Sequence, residues 1–274
     1  MTPPGVLADP RVRLAAGTAA LLVTAMAARG NRVGPGEAAA FRAINDLPGW
    51  LYPPAWAVMQ LGALGAAPAA AGAAWLAGDR ELAGRLLAGG TSAWALSKVV
   101  KRLVQRPRPA GLLPGTRRRG RDAVGLGYLS GHAGVAVVLG ATALPRLGPG
   151  GRALTLAAVP VVGLTRIYVG AHLPLDVAGG AALGLIIDAA MALVSARTAG
   201  SAAAWPKDPG SGDLGPWPAP AAAGQRRTQH RSPDGAARPG RATCGLAQRS
   251  ARWPYTQPTM RDSRYCRSTG ACSC

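Results

Sequence analysis

The stretch GYLSGHAGVAVVLG, residues 127–140, places Ser130, Gly131 and His132 at the mouth of an apolar run. A chain with three histidines uses them sparingly: His230 lies in a Pro/Gly/Arg-rich region, whereas His132 and His172 both stand beside long hydrophobic segments. Working outward from residue 130, six segments read as membrane helices: 13–29, 54–77, 82–100, 130–147, 151–170 and 174–196. A span needs about 20 mainly apolar residues to cross about 30 Å of hydrocarbon. The second segment is the clearest. Trp56 and Trp75 are 19 residues apart, which in a straight helix is roughly 28 Å, the spacing of two interfacial belts. Two charged residues interrupt the pattern. Arg85 can snorkel from a helix end, and Asp188, well inside the last segment, is expected to make an interhelical polar contact.

Composition agrees with a membrane bundle. Of 274 residues, 49% are hydrophobic, with 38 glycines, 24 prolines and one phenylalanine. Small residues let membrane helices approach closely, where van der Waals contact drives association. The formal charge of +19 fits an anionic membrane surface, a phosphorylated substrate or nucleic acid. No nucleic-acid-binding motif supports the last. Arg11 and Arg13 precede the first apolar run and read as flanks of a first membrane helix rather than of a cleavable signal.

The expected fold class is therefore all-α, an integral membrane bundle of about six transmembrane helices. Residues 1–198 form the transmembrane domain. Residues 199–274, rich in Pro, Gly and Arg, are expected to be a disordered tail that buries too little apolar surface to offset its chain entropy. All four cysteines (Cys244, Cys266, Cys272, Cys274) fall in that tail without a C-x-x-C pair, so neither a zinc site nor a disulfide framework is expected.

Three polar clusters lie between the apolar runs: KRLVQRPRP (Lys101 to Pro109), LSGH (Leu129 to His132) and TRIYVGAHLPLD (Thr165 to Asp176). With six crossings, the third-to-fourth and fifth-to-sixth connections emerge on one face, so the three clusters meet. Lys101, Arg108 and Arg166 then supply three cations, two of them planar forks suited to phosphate oxygens. Ser130 and the backbone N–H groups of Gly131 and His132 open a helix, a natural anion site. The inventory describes a cradle for a dianionic phosphoryl group, whose transfer needs positioning and charge stabilisation. Pro174 starts the last helix, with Asp176 in its first turn. From there the carboxylate reaches back toward one imidazole nitrogen of His172, leaving the other to attack phosphorus. His132 is left to protonate the leaving oxygen, and a bell-shaped pH profile follows. Arg118, in a dense arginine run at 108–122, is expected to matter little.

These clusters resemble the three-part signature of the type 2 phosphatidic acid phosphatase (PAP2) superfamily, written K-x6-R-P, P-S-G-H and S-R-x5-H-x3-D. Lys101 is followed after six residues by Arg108-Pro109. Ser130-Gly131-His132 matches the second motif, with Leu129 in place of proline. Thr165-Arg166, His172 and Asp176 match the third, with threonine for serine. The resemblance covers residues 55–197. It implies that His172 is the nucleophile forming a phosphohistidine, Asp176 its partner and His132 the general acid. Lys101, Arg108, Ser130, Gly131 and Arg166 would bind phosphate, with no cofactor and no metal.

The expected function is hydrolysis of a lipid phosphate or diphosphate by a multi-pass protein of the cell membrane. Candidate substrates are phosphatidic acid, phosphatidylglycerol phosphate and polyprenyl diphosphates such as undecaprenyl diphosphate. The expected partners are that lipid and the membrane, not nucleic acid. The alternatives are a phosphotransferase using the same intermediate, a vanadate-dependent haloperoxidase and a non-catalytic membrane lipid-binding protein. Membrane spans weigh against the haloperoxidase, and the retained histidines with Asp176 weigh against binding alone.

Overall fold

Proline and small polar residues set where each helix begins. In the computed structural model, which describes residues 9–121 and 123–203, Asp9 caps α1 (Pro10–Ala28) by accepting from the Arg11 amide at 2.8 Å, with Pro10 in the first turn. A short helix follows, α2 (Pro35–Asn45), again opened by proline and carrying Glu37 in its first turn. The six expected segments all contain helix. α3 (Tyr52–Met59) and α4 (Ala66–Leu76) come from the second, and α5 (Arg80–Val104) from the third. α6 (Gly131–Ala143), α7 (Pro149–Tyr168) and α8 (Pro174–Ala203) come from the last three. Among the described residues the fold is all-α.

Two helices have the length and apolarity to cross a membrane on those grounds alone, Pro10–Asn31 and Pro174–Thr198. The segment 54–77 departs from expectation. It is bent by 68° between Gly49–Gly62 and Ala66–Leu76, and as one broken span it would be a third. The straight rise from Trp56 to Trp75 therefore does not hold. The break follows from packing: a Cβ on Gly62 would sit 2.5 Å from the His132 carbonyl oxygen and 2.7 Å from Val162. The chain turns where its backbone is pressed against the start of α6. That helix has 13 residues, about 20 Å of rise, and it is sheathed by protein, with Ala133 through Ala136 and Val138 through Gly140 buried. α5 is long, but Arg85, Lys98, Lys101 and Arg102 divide it.

α6 is the central post, packed against α5 and α8, while α1 lies along α8. Small residues make the crossings close. A side chain on Gly180 of α8 would collide with the Ser130 carbonyl at the mouth of α6, so the two helices meet backbone to backbone. Asp188 makes the interhelical contact expected of it, accepting from Thr142 Oγ1 at 3.0 Å and pairing with Arg13 at 3.2 Å. Outward, Leu22, Val23 and Met26 on α1, Leu96 and Leu103 on α5, and Leu154 and Leu156 on α7 are exposed. Large apolar side chains on the outside of a bundle with polar contacts inside are what hydrocarbon solvent requires.

By contacts the chain divides into Met1–Gly212 and Asp213–Cys274, and the described residues belong to the first unit. α8 continues through Ala203, past the expected boundary at 198. The remainder of the expected tail lies outside the described residues.

Candidate functional site

α5 ends in a left-handed residue, Gln105 (φ 55°), which turns the chain sharply into Arg106-Pro107-Arg108. One turn earlier, Lys101 donates to the carbonyls of Leu126 (3.2 Å), Gly127 (2.9 Å) and Leu129 (2.6 Å). An ammonium has three donors, so all of them hold the loop that leads into α6. Leu129 replaces the family's proline without freeing the loop: it is fully buried and its carbonyl is gripped by the lysine.

Ser130 caps α6, its hydroxyl accepting from the Ala133 amide at 3.4 Å, while its own N–H donates to the Asp176 carbonyl at 2.8 Å. That bond ties the start of α6 to the first turn of α8. Gly131 sits against Ser97 of α5, where a Cβ would lie 3.1 Å from the hydroxyl. His132 follows, half-buried.

Arg108 bridges two loops. Its Nη1 donates to the Ala171 carbonyl at 2.8 Å, and Nε and Nη2 donate to the Val124 carbonyl at 3.2 and 3.1 Å. Arg166, in the last turn of α7, has a buried Nε with no hydrogen-bond partner. A buried guanidinium with an unmet donor is costly unless an anion completes it. Both arginines line a cavity of about 350 Å³ together with Tyr52, Trp56 and Arg121. Arg118, expected to matter little, lines the same cavity.

His172 is buried in the α7–α8 connection, its amide donating to the Arg166 carbonyl at 3.2 Å. Its Nδ1 lies 3.6 Å from Asp176 Oδ2. Asp176 sits in the first turn of α8, as the proline placement requires, and Oδ2 also accepts from the Leu173 amide at 2.8 Å. Burial, then the charges of Lys101, Arg166 and Arg108, hold the His172 imidazole well below its ordinary pKa. It is therefore neutral, with a lone pair to offer. The same field includes His132, so all three sequence clusters converge at one end of the bundle. Thr165 does not take part: its hydroxyl donates back to the Val162 carbonyl at 2.8 Å.

Three residues that the sequence reading passed over hold this geometry. Arg106, fully buried, donates from Nη1 to Asp176 Oδ1 at 3.0 Å. It also grips both carboxylate oxygens of Glu37, at 3.0 and 2.6 Å. Asn45, at the end of α2, donates to the Arg117 and Tyr168 carbonyls at 2.9 and 3.0 Å and accepts from the Arg117 amide. The available signal was GPGEAAAF, with proline and glutamate in a first turn. Among the described residues no group of three or more His, Cys, Asp or Glu forms a metal-ligand set. What converges is cationic, and what it can hold is an anion.

The PAP2 superfamily model matches residues 82–198. Among solved structures, a transmembrane PAP2-type phosphatidylglycerolphosphate phosphatase from Bacillus subtilis is similar at 21% identity and a TM-score of 0.55. The match covers 68% of this chain and 96% of that one. LpxE from Aquifex aeolicus is similar at 22% identity and a TM-score of 0.54, covering 61% of this chain and 99% of that one. No curated protein matches the chain. Residues 82–198 thus match the PAP2 superfamily model, and the chain shares its fold with solved membrane proteins of that type.

Proposed function

We propose that this PAP2-superfamily chain is a multi-pass protein of the cell membrane that hydrolyses a lipid phosphate or diphosphate through a phosphohistidine. The observation that carries the reading is a neutral, buried His172 facing Asp176 on one side, within the field of Arg108, Arg166 and His132. With Nδ1 turned to the carboxylate, Nε2 is the free nitrogen. It attacks phosphorus, the P–O bond to the lipid breaks, and His132 gives its proton to the departing oxygen. Asp176 stabilises the positive charge that the imidazole acquires. Water then attacks the phosphohistidine, His132 taking its proton, and the P–N bond returns its electrons to Nε2. Arg166, whose Nε lacks a partner, and Arg108 hold the phosphoryl oxygens. Lys101, its donors committed to the loop, contributes charge.

A lipid substrate is favoured by the apolar exterior and by Trp56 and Tyr52 at the cavity wall, side chains suited to the headgroup level. The phosphatidylglycerolphosphate phosphatase with the same fold points to the same class. Phosphatidic acid, phosphatidylglycerol phosphate and polyprenyl diphosphates are the candidates. The test is phosphate release from each by detergent-purified protein in EDTA, alongside His172→Ala. Release by the parent alone is the expected result. Release from none of them by folded protein contradicts the proposal.

A further inference from the structure

We propose that Glu37 and Arg106 are positioning residues that set the net charge behind the catalytic histidine, with α2 as the element that delivers it. The inference rests on the reading of His172 as nucleophile. It starts from a chain of contacts that no motif contains. Asp176 turns one oxygen toward His172 Nδ1, 3.6 Å away, and gives the other to Arg106 as a hydrogen bond. Arg106 turns its remaining fork to Glu37, and Glu37 Oε1 also accepts from the Leu175 amide at 3.2 Å, in the first turn of α8. All three charged side chains are buried, at 0% exposure for Arg106 and Asp176 and 8% for Glu37.

The charge count explains why a third member is present. Asp176 with Arg106 alone is a neutral pair, and the guanidinium would draw off the carboxylate's attraction for an imidazolium. Adding Glu37 makes the group net negative by one. The arginine is then shared, and a full negative charge remains to balance His172 when it becomes positive on attack. Taking a buried guanidinium out of water is costly unless it is paired, and Arg106 uses Nη1 and Nη2 on the two carboxylates while its buried Nε has no hydrogen-bond partner. The other charges around His172 are Lys101 from α5, Arg108 from the loop, His132 from α6 and Arg166 from α7. All four are basic positions, so the acidic side of the site depends on Asp176 and Glu37.

Three variants test this. Glu37→Gln keeps the size and removes the charge. Expected is a loss in kcat of about 10- to 100-fold, the scale of outer-shell partners, with KM unchanged. The acid limb of the pH profile moves to lower pH, because an imidazolium there becomes less favourable. Glu37→Gln/Arg106→Gln restores the single negative charge, so its kcat is expected to exceed that of Glu37→Gln. A structural brace predicts the reverse. Glu37→Asp keeps the charge and gives up the two-pronged grip. It is expected to retain the parental pH profile and most of kcat, and it keeps the test decisive should either glutamine variant fail to fold. Unchanged kcat and profile in Glu37→Gln, or a loss in Glu37→Asp as large as in the glutamine variant, overturns the inference while leaving the phosphatase reading intact. A parent that releases no phosphate fails the phosphatase reading instead.

Discussion

Asp176 divides its carboxylate between two partners: Oδ1 accepts from Arg106 Nη1 at 3.0 Å, and Oδ2 stands 3.6 Å from His172 Nδ1. One oxygen anchors the side chain to the buried scaffold and the other faces the imidazole. The carboxylate therefore orients the imidazole proposed as nucleophile only as well as the arginine orients the carboxylate.

Asp176→Asn keeps the shape and removes the charge. Turnover is expected to fall by about 10³- to 10⁴-fold, the scale found when a carboxylate behind a catalytic histidine is neutralised. KM should stay near its parental value, since the group does not touch substrate. Initial rates of phosphate release over a range of substrate concentrations check both.

Arg166→Lys replaces a fork by a point charge. The unpartnered Nε is lost, and with it the donor proposed to meet a phosphoryl oxygen. A fall of about 100-fold in kcat/KM is expected. Thr165→Val, on the next position of the same motif, is expected to stay within about threefold, because it removes only a bond to its own helix. Measuring the two side by side separates the groups that reach the substrate from those that pack the helix.

How much of this was legible in the sequence follows from that contrast. The three motifs, Pro174 at the start of α8 and Asp176 in its first turn are local, and fixed spacing carries them. Contacts between distant segments left no such mark. Glu37 and Arg106 are 69 residues apart, and nothing in either neighbourhood names the other. The bend at Gly62 was hidden for the same reason. A run of small apolar residues reads as one span until the His132 carbonyl is seen to press on its backbone. Lys101 had the right spacing for phosphate, yet its donors are taken by three loop carbonyls, a choice that depends on where residues 126–129 fold back.

The close crossing of α6 and α8 makes a stability prediction. Gly180→Ala places a methyl group against the Ser130 carbonyl, where backbone rather than a flexible side chain must move. The expected cost is about 1–3 kcal/mol, seen as a lower Tm in detergent. Activity should fall with it, because the displaced Ser130 N–H is bonded to the Asp176 carbonyl.

Burial followed by the surrounding cations lowers the His172 pKa, so the imidazole proposed as nucleophile stays neutral below the ordinary histidine value of about 6.5. The acid limb of kcat/KM attributable to it is expected at lower pH than that. The sign for stability is the opposite of a paired histidine's. The unfolded chain binds the proton first as pH falls, so this site's contribution is intact above the ordinary value and declines below it. A pH series of initial rates and of Tm reads the two effects separately.

The most direct measurement is a rapid acid-free quench of the purified protein with a phosphoryl-labelled lipid, followed by mapping of any label on the chain. The account predicts an alkali-stable, acid-labile phosphoryl group on His172 in the parent and none in His172→Ala, which also fails to turn over. Phosphate release by His172→Ala at the parental rate, or label on another residue, would contradict it.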